Sequence, residues 1–443
     1  MQGTKDLTNG PIKRQLFNLA MPIMGTSFIQ MAYSLTDMAW VGRLGSEAVA
    51  AIGAVGILAW MTSSIALLTK VGSEVSVAQS IGAKNEEDAR CYSSHNLTIG
   101  LIMAICLGAL LFILATPILG LYKLEASITD NAVDYLRIIV TAFPFVFLSY
   151  AFTGIHNAAG LSKIPFYING MGLVINMILD PVFILVFKWG TDGAAWATWL
   201  SQGAVCFAFV YQLKVRNKLL GGFPFFVRLK TQYAKRIIRL GLPVALLNTL
   251  FAIINLFMGR TASTQGGHLG LMTLTAGGQI EAIAWNTSQG FSTALSAFVA
   301  QNYAAGKKER ITGAYHTTLA MTSILGVFCT LLFVFWGSEV FSLIVPEEEA
   351  YIAGGIFLRI DGYSMLFMML EITMQGLFYG TGRTMPPAVI SITFNSLRIP
   401  LAVILSSIGL GINGVWWAIS ISSMFKGLIA FIWFRLLQQK MLK

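Results

Sequence analysis

The sequence predicts an all-α integral membrane protein of about twelve transmembrane helices, built as two pseudo-symmetric six-helix bundles in a parallel repeat. Three observations predict it. The composition suits a chain immersed in lipid, long apolar segments follow one another from end to end, and the second half repeats landmarks of the first at a fixed offset.

Of the 443 residues, 56% are apolar and 11% are charged, and the mean hydropathy is +0.70. A soluble domain carries about 25% charged residues. A water-soluble core could not hide so much apolar surface, so lipid must cover the excess. This excludes a cytosolic enzyme, a nucleic-acid binder and a secreted disulfide scaffold. Cys91, Cys106, Cys206 and Cys329 lie far apart with no CxxC spacing, so neither a metal site nor a disulfide framework is indicated. Lys5, Asp6, Lys13 and Arg14 precede the first apolar stretch without an evident small-residue cleavage site. That stretch therefore reads as a retained anchor.

A spanning helix needs about 20 mostly apolar residues. Segments meeting this lie near 16–41, 49–80, 92–119, 133–159, 165–187, 193–214, 237–260, 271–301, 314–344, 353–380, 387–408 and 412–437. The runs are continuous rather than alternating, which excludes a barrel. The distribution of cations between spans sets the orientation. One set of loops holds Lys84, Arg90, Lys163, Lys307, Lys308, Arg310 and Arg383. On the same side, the stretch from Lys214 to Arg239 holds Lys214, Arg216, Lys218, Arg228, Lys230, Lys235, Arg236 and Arg239 and no acid. The opposite loops carry Arg43, Lys123, Lys188 and Arg260 with Glu347, Glu348 and Glu349. Both termini then fall on the basic, cytoplasmic side. The basic stretch reads as topogenic charge beside anionic lipid, not as a nucleic-acid surface.

That stretch also divides the chain. Gly221, Gly222 and Pro224 suit a linker, and the sequences flanking it are related. Leu19-Ala20-Met21-Pro22 resembles Leu240-Gly241-Leu242-Pro243, and Val77-Ala78-Gln79 matches Val299-Ala300-Gln301. Gly160 and Pro165 match Gly382 and Pro387, and Gly193-Ala194-Ala195-Trp196-Ala197 resembles Gly414-Val415-Trp416-Trp417-Ala418. All four anchors share one offset, the step from Pro22 to Pro243, to within a single position. The expected organisation is a lobe over 1–213, a basic cytoplasmic linker over 214–236 and a second lobe over 237–443. Six spans per half give both halves the same direction of entry, as in parallel-repeat secondary transporters. No GxxxxGK[ST] pattern occurs, so an ion gradient rather than an ATPase subunit is expected to supply energy.

Ionisable groups inside the membrane cost about 3 kcal/mol each on insertion scales, so each needs a partner or a purpose. Asp37 lies near the outer end of span one and Asp180 about two-thirds along span five. Asn176 is one turn before Asp180 on the same face. Pro181 cannot donate to the Met177 carbonyl, which leaves that oxygen available. Thr198 enters span six at similar depth. Two carboxylates, an amide, a hydroxyl and a carbonyl are oxygen ligands for a hard monovalent cation. A proton could replace the metal where two carboxylates share a dry site. The plain alternative is that Asp180 caps a kink and Asp37 hydrates a helix end.

These residues carry a family resemblance that spans both halves. The chain resembles the multidrug and toxic compound extrusion (MATE) transporters. Asp37 with Val41-Gly42-Arg43-Leu44-Gly45 resembles their first-helix signature, and Gln79-Ser80-Ile81-Gly82-Ala83 the end of their second helix. Gly160-Leu161-Ser162-Lys163-Ile164-Pro165-Phe166, Asn176, Asp180-Pro181 and Gly193-Ala194-Ala195-Trp196-Ala197-Thr198 resemble the pattern from fourth to sixth helix. Glu371-Ile372 and Gly380-Thr381-Gly382-Arg383-Thr384-Met385-Pro386 resemble its counterpart in the second half. The resemblance implies efflux of amphiphilic, often cationic compounds by Na+ or H+ antiport, from a bacterial inner membrane, without a resident cofactor. From the prokaryotic DinF-like branch it carries the cation-site roles to Asp37, Asn176, Asp180 and Thr198. Span seven lacks the acid on which another branch relies, and Leu161 replaces an acidic residue common in the fourth-to-fifth loop.

The second half holds its own buried charges, Glu281, Asp361, Glu371, Arg398 and Lys426, with Arg398 at the repeat equivalent of Asn176. They read either as a structural network pairing Glu371 with Arg398 or Lys426, or as a second coupling or substrate-binding site. Lys70 and Glu74, four apart, are expected to pair. Gln30, Tyr33 and Tyr135 are weaker candidates for the hydrogen-bond network around Asp37. The four histidines have no metal-ligand spacing. The expected function is a monomeric, cation-coupled multidrug efflux antiporter working by alternating access on small amphiphilic molecules. A lipid-linked oligosaccharide flippase of the same superfamily and a membrane-embedded enzyme are the alternatives.

Overall fold

The structure is a computed structural model that describes residues 2–120, 125–216 and 219–441. Lys123 and Lys218, counted above among the loop cations, lie outside the described residues. Among the described residues the regular structure is entirely helical, with no strand. The helices are α1 (Ile12–Val41), α2 (Ser46–Gly82), α3 (Glu86–Gly120), α4 (Ala126–Thr141), α5 (Phe143–Ala158) and α6 (Lys163–Pro181). They continue with α7 (Gly190–Tyr211), α8 (Thr231–Ala304), α9 (Lys308–Ser342), α10 (Glu348–Gly380), α11 (Met385–Leu405) and α12 (Ile412–Met441).

Three of these elements depart from one helix per span. The fourth span is the pair α4 and α5, bent by 47° at their junction, where Pro144 sits in the first turn of α5 and cannot extend α4. Spans seven and eight are both carried by α8, which breaks at Gly267 with φ +60°, a conformation open to glycine. Counting the bent pair once and the two arms of α8 separately gives twelve helical segments among the described residues, in the order of the twelve apolar runs.

The chain divides into two compact units, 1–9 with 21–245 and 10–20 with 246–443. The start of α1 thus belongs to the second unit and the start of α8 to the first. Within the second unit, Arg310 fixes the start of α1 by donating to the Gly10 carbonyl at 2.8 Å and to Gln15 Oε1 at 3.0 Å. Within the first, Arg236 on α8 donates to Gln79 Oε1 on α2 at 2.5 Å. Each unit has its own apolar core, around Phe143, Phe147 and Leu136 in the first and around Phe333, Phe357 and Trp416 in the second.

The duplication is visible in matched close approaches. A Cβ on Gly154 would collide with the Lys70 carbonyl, and one on Gly376 with the Ser292 carbonyl. Both glycine and carbonyl move by the repeat offset between halves, so the same contact is made twice. Likewise α6 and α11 each end in a π-helical turn, Val182–Val186 and Ser406–Leu410. Gly193 and Gly414 follow, where a Cβ would meet Phe183 backbone at 2.9 Å and Ser406 N at 2.5 Å.

Candidate functional site

In the first unit, four helices bring the predicted residues together. Asn176 and Asp180 lie one turn apart on α6, both fully buried, and Asn176 Nδ2 donates to Asp180 Oδ1 at 3.1 Å. Pro181 supplies no backbone donor, and the helix widens directly after it into the π turn. The close approach at Gly193 lets α7 return tightly against that turn. This carries Thr198 and Ser201 back beside α6. Ser201 Oγ donates to the Thr198 carbonyl at 2.9 Å, which leaves it to accept a short hydrogen bond from the Tyr33 hydroxyl of α1. The Thr198 side chain also faces that hydroxyl.

Asp37 is one turn beyond Tyr33 on α1. Its charge reaches Asp180, and Tyr33 and the buried Tyr135 of α4 lie in the field of both carboxylates. Three oxygens here are buried without a hydrogen-bond partner: Asp37 Oδ1, Asn176 Oδ1 and Asp180 Oδ2. A buried carboxylate costs several kcal/mol unless a proton neutralises it or a positive charge stands beside it. The donors are hard oxygens. Two carboxylates with neutral oxygens suit a monovalent ion or a proton, and among the described residues no cluster of three His, Cys, Asp or Glu could hold a metal. Gln30 does not join them. It is exposed, although it stands two turns before Asp37 on the same side of α1.

The second unit gathers its five charges as well. Lys426 Nζ lies 3.2 Å from Glu371 Oε2, and Glu371 Oε1 accepts from Ser391 Oγ at 2.5 Å and Gln375 Nε2 at 3.1 Å. Arg398 donates to Ser422 at 2.7 Å and Ser423 at 2.9 Å, and Glu281, Asp361 and Glu371 all act on its charge. Asp361 Oδ1 accepts from Ser364 at 3.3 Å, while Asp361 Oδ2 and Asn395 Oδ1 are buried without a partner. Where the first unit has the Asn176 amide, the second therefore carries a fixed guanidinium.

One pairing read from spacing is corrected. Lys70 and Glu74 make no direct ion pair within 4.0 Å among the described residues, although the Lys70 charge still acts on Glu74. Glu74 Oε1 instead accepts from Asn157 Nδ2 of α5 at 2.8 Å, a partner from another helix that the i,i+4 rule does not see. The sequence reading also missed Ser201, Ser391, Gln375, Asn395, Ser422 and Ser423. A signal existed for one pair. Ser201 and Ser423 are repeat equivalents, and each bonds the charged or phenolic side chain of a neighbouring helix.

The family model named MatE matches residues 22–182 and 240–404, once in each half. The chain belongs to the MatE family. The chain is similar over nearly its whole length to the probable multidrug resistance protein NorM of Thermotoga maritima, with 24% identity over 438 residues, 96% of this chain and 92% of the relative. The probable multidrug resistance protein YoeA of Bacillus subtilis is 27% identical over 428 residues, 93% of this chain and 91% of the relative. A MATE protein solved in a bent conformation superimposes with a TM-score of 0.93 at 22% identity, covering 98% of this chain and 97% of that one. The MatE chain is thus a multi-pass all-α membrane protein of about twelve helices, and it stands among membrane transporters rather than enzymes.

Proposed function

We propose that this MatE protein is a cation-coupled multidrug efflux antiporter of the inner membrane, with both termini cytoplasmic. It exports amphiphilic, often cationic compounds by alternating access in exchange for Na+ or H+. Relatives described as probable multidrug resistance proteins support the cargo class. The observation that carries the coupling is the set of buried, partnerless oxygens on Asp37, Asn176 and Asp180.

When the coupling cation is present, Asp37, Asn176, Asp180 and Thr198 hold it, and it supplies the positive charge that the buried carboxylates lack. When the cation leaves, the lobe again carries uncompensated negative charge and favours a cationic cargo. The two loadings alternate because they satisfy the same charge. Helix α1 is suited to report the change. Pro22 interrupts its hydrogen-bond ladder, and Thr26 Oγ1 already bonds the Pro22 carbonyl at 3.0 Å. At Gly25, α1 lies so close to α6 that a Cβ would strike the Phe166 ring at 2.5 Å. A shift of α6 around its cation site is thereby transmitted to α1.

The test is export activity, read as accumulation of a cationic dye inside energised inverted vesicles containing wild type or Asp37→Asn. Loss of at least tenfold in initial rate, at equal amounts of folded protein, is the expected result. Undiminished efflux by Asp37→Asn would remove the role assigned to this carboxylate.

A further inference from the structure

The segment leading into α8 is fastened to α3 along one side. Arg90 Nε donates to the Leu220 carbonyl at 2.5 Å and Ser94 Oγ to the Pro224 carbonyl at 2.5 Å. The Val227 amide then donates to Thr98 Oγ1 at 3.1 Å and the Lys230 amide to His95 Nε2 at 3.0 Å. The first turns of α8 continue the attachment, since Tyr233 donates to Asp88 at 2.8 Å and Ile237 and Leu240 are buried. Helical periodicity then turns Lys235, Ile238, Arg239 and Leu242 outward. Leu229, Ile238 and Leu242 remain 38%, 42% and 42% exposed, far more than apolar side chains need on a segment held so firmly.

This outward face is hollowed. An open groove of about 530 Å³ is lined by Leu229, Thr231, Ala234, Lys235, Ile238 and Arg239. Two cations one helical turn apart stand over an apolar floor, in a stretch that has eight cations and no acid from Lys214 to Arg239. An exposed apolar surface rimmed by cations on a helix entering the bilayer has the chemistry of an interfacial lipid contact.

We propose that this groove is a binding site for an anionic glycerophospholipid, whose phosphate lies between Lys235 and Arg239 and whose acyl chain covers Leu229, Ile238 and Leu242. The charge of the rim selects the headgroup, and the exposed floor selects a lipid over a free anion. A cationic cargo molecule would be repelled by the same rim, so the site is separate from the cargo path. Because α8 begins here, the bound lipid would brace the junction between linker and helix.

The experiment is native mass spectrometry of the full-length protein in detergent, titrated with phosphatidylglycerol or with phosphatidylcholine of the same chains. Wild type should retain phosphatidylglycerol in preference to phosphatidylcholine. Removing surface charge lowers attraction to anionic lipid by about fivefold per residue, so Lys235→Gln with Arg239→Gln should weaken phosphatidylglycerol binding by more than tenfold. Phosphatidylcholine binding should stay the same. Lys163→Gln, which removes an exposed cation at the start of α6, should leave the preference intact. Ile238→Ser separates the two parts of the site, weakening long-chain phosphatidylglycerol while leaving both cations in place. Equal phosphatidylglycerol binding by wild type and the double variant, an equal loss in Lys163→Gln, or full competition by inorganic phosphate would each overturn the proposal.

Discussion

Asp37 and Asp180 each keep a buried oxygen without a hydrogen-bond partner among the described residues, and this sets the behaviour of substitutions around them. Neutralising a buried charge removes a desolvation cost. Asp37→Asn should therefore melt at or above the wild-type temperature while losing transport, a combination that thermal-shift and efflux assays read on one preparation. Tyr33 ties α1 to α7 through Ser201, and Tyr33→Phe should cost about 1 kcal/mol of stability. A double-mutant cycle with Ser201→Ala would show the two losses to be one interaction. The acids and Asn176 were legible in the sequence because a carboxylate in an apolar run is conspicuous, and its neighbours can be sought one turn away. Ser201 was not, since serine is unremarkable in a membrane helix and its partner lies on a helix distant in the chain. Lys70 and Glu74 show the opposite failure. Their spacing permits a pair, but Asn157 on α5 takes the carboxylate.

Between elements, the close approaches at glycines carry the packing. Gly376→Ala would drive a methyl group into the Ser292 backbone of α8. Overpacking of this kind costs about 1–3 kcal/mol, so the variant should unfold at lower temperature in detergent. The ion pair between α10 and α12 makes a second expectation. Removing one partner of a buried pair costs about 3–5 kcal/mol, whereas replacing both by apolar residues is often neutral. Lys426→Met should be strongly destabilised, and adding Glu371→Leu should recover most of the loss in the same melting assay. Apolar run lengths revealed the spans, and the constant offset between paired landmarks such as Pro22 and Pro243 revealed the duplication. The π turns at Val182–Val186 and Ser406–Leu410 were not legible, because one extra residue per turn leaves the hydropathy pattern almost unchanged. The same holds for the tight connection between spans seven and eight, where the helix breaks at Gly267.

For the whole molecule, the two units differ in how they answer a common problem. The first leaves buried acids open beside Asn176, while the second sets Arg398 and Lys426 among its acids. The proposed coupling places the exchanged ion in the first unit, although the second also keeps Asp361 Oδ2 without a partner among the described residues. The most direct measurement is dye export in proteoliposomes with a Na+ gradient or a pH gradient imposed separately, for wild type and for Asp180→Asn. At least one gradient should drive export by wild type, and that drive should vanish in the variant. Export by Asp180→Asn that follows the imposed gradient as steeply as wild type would contradict the assignment of coupling to the first unit.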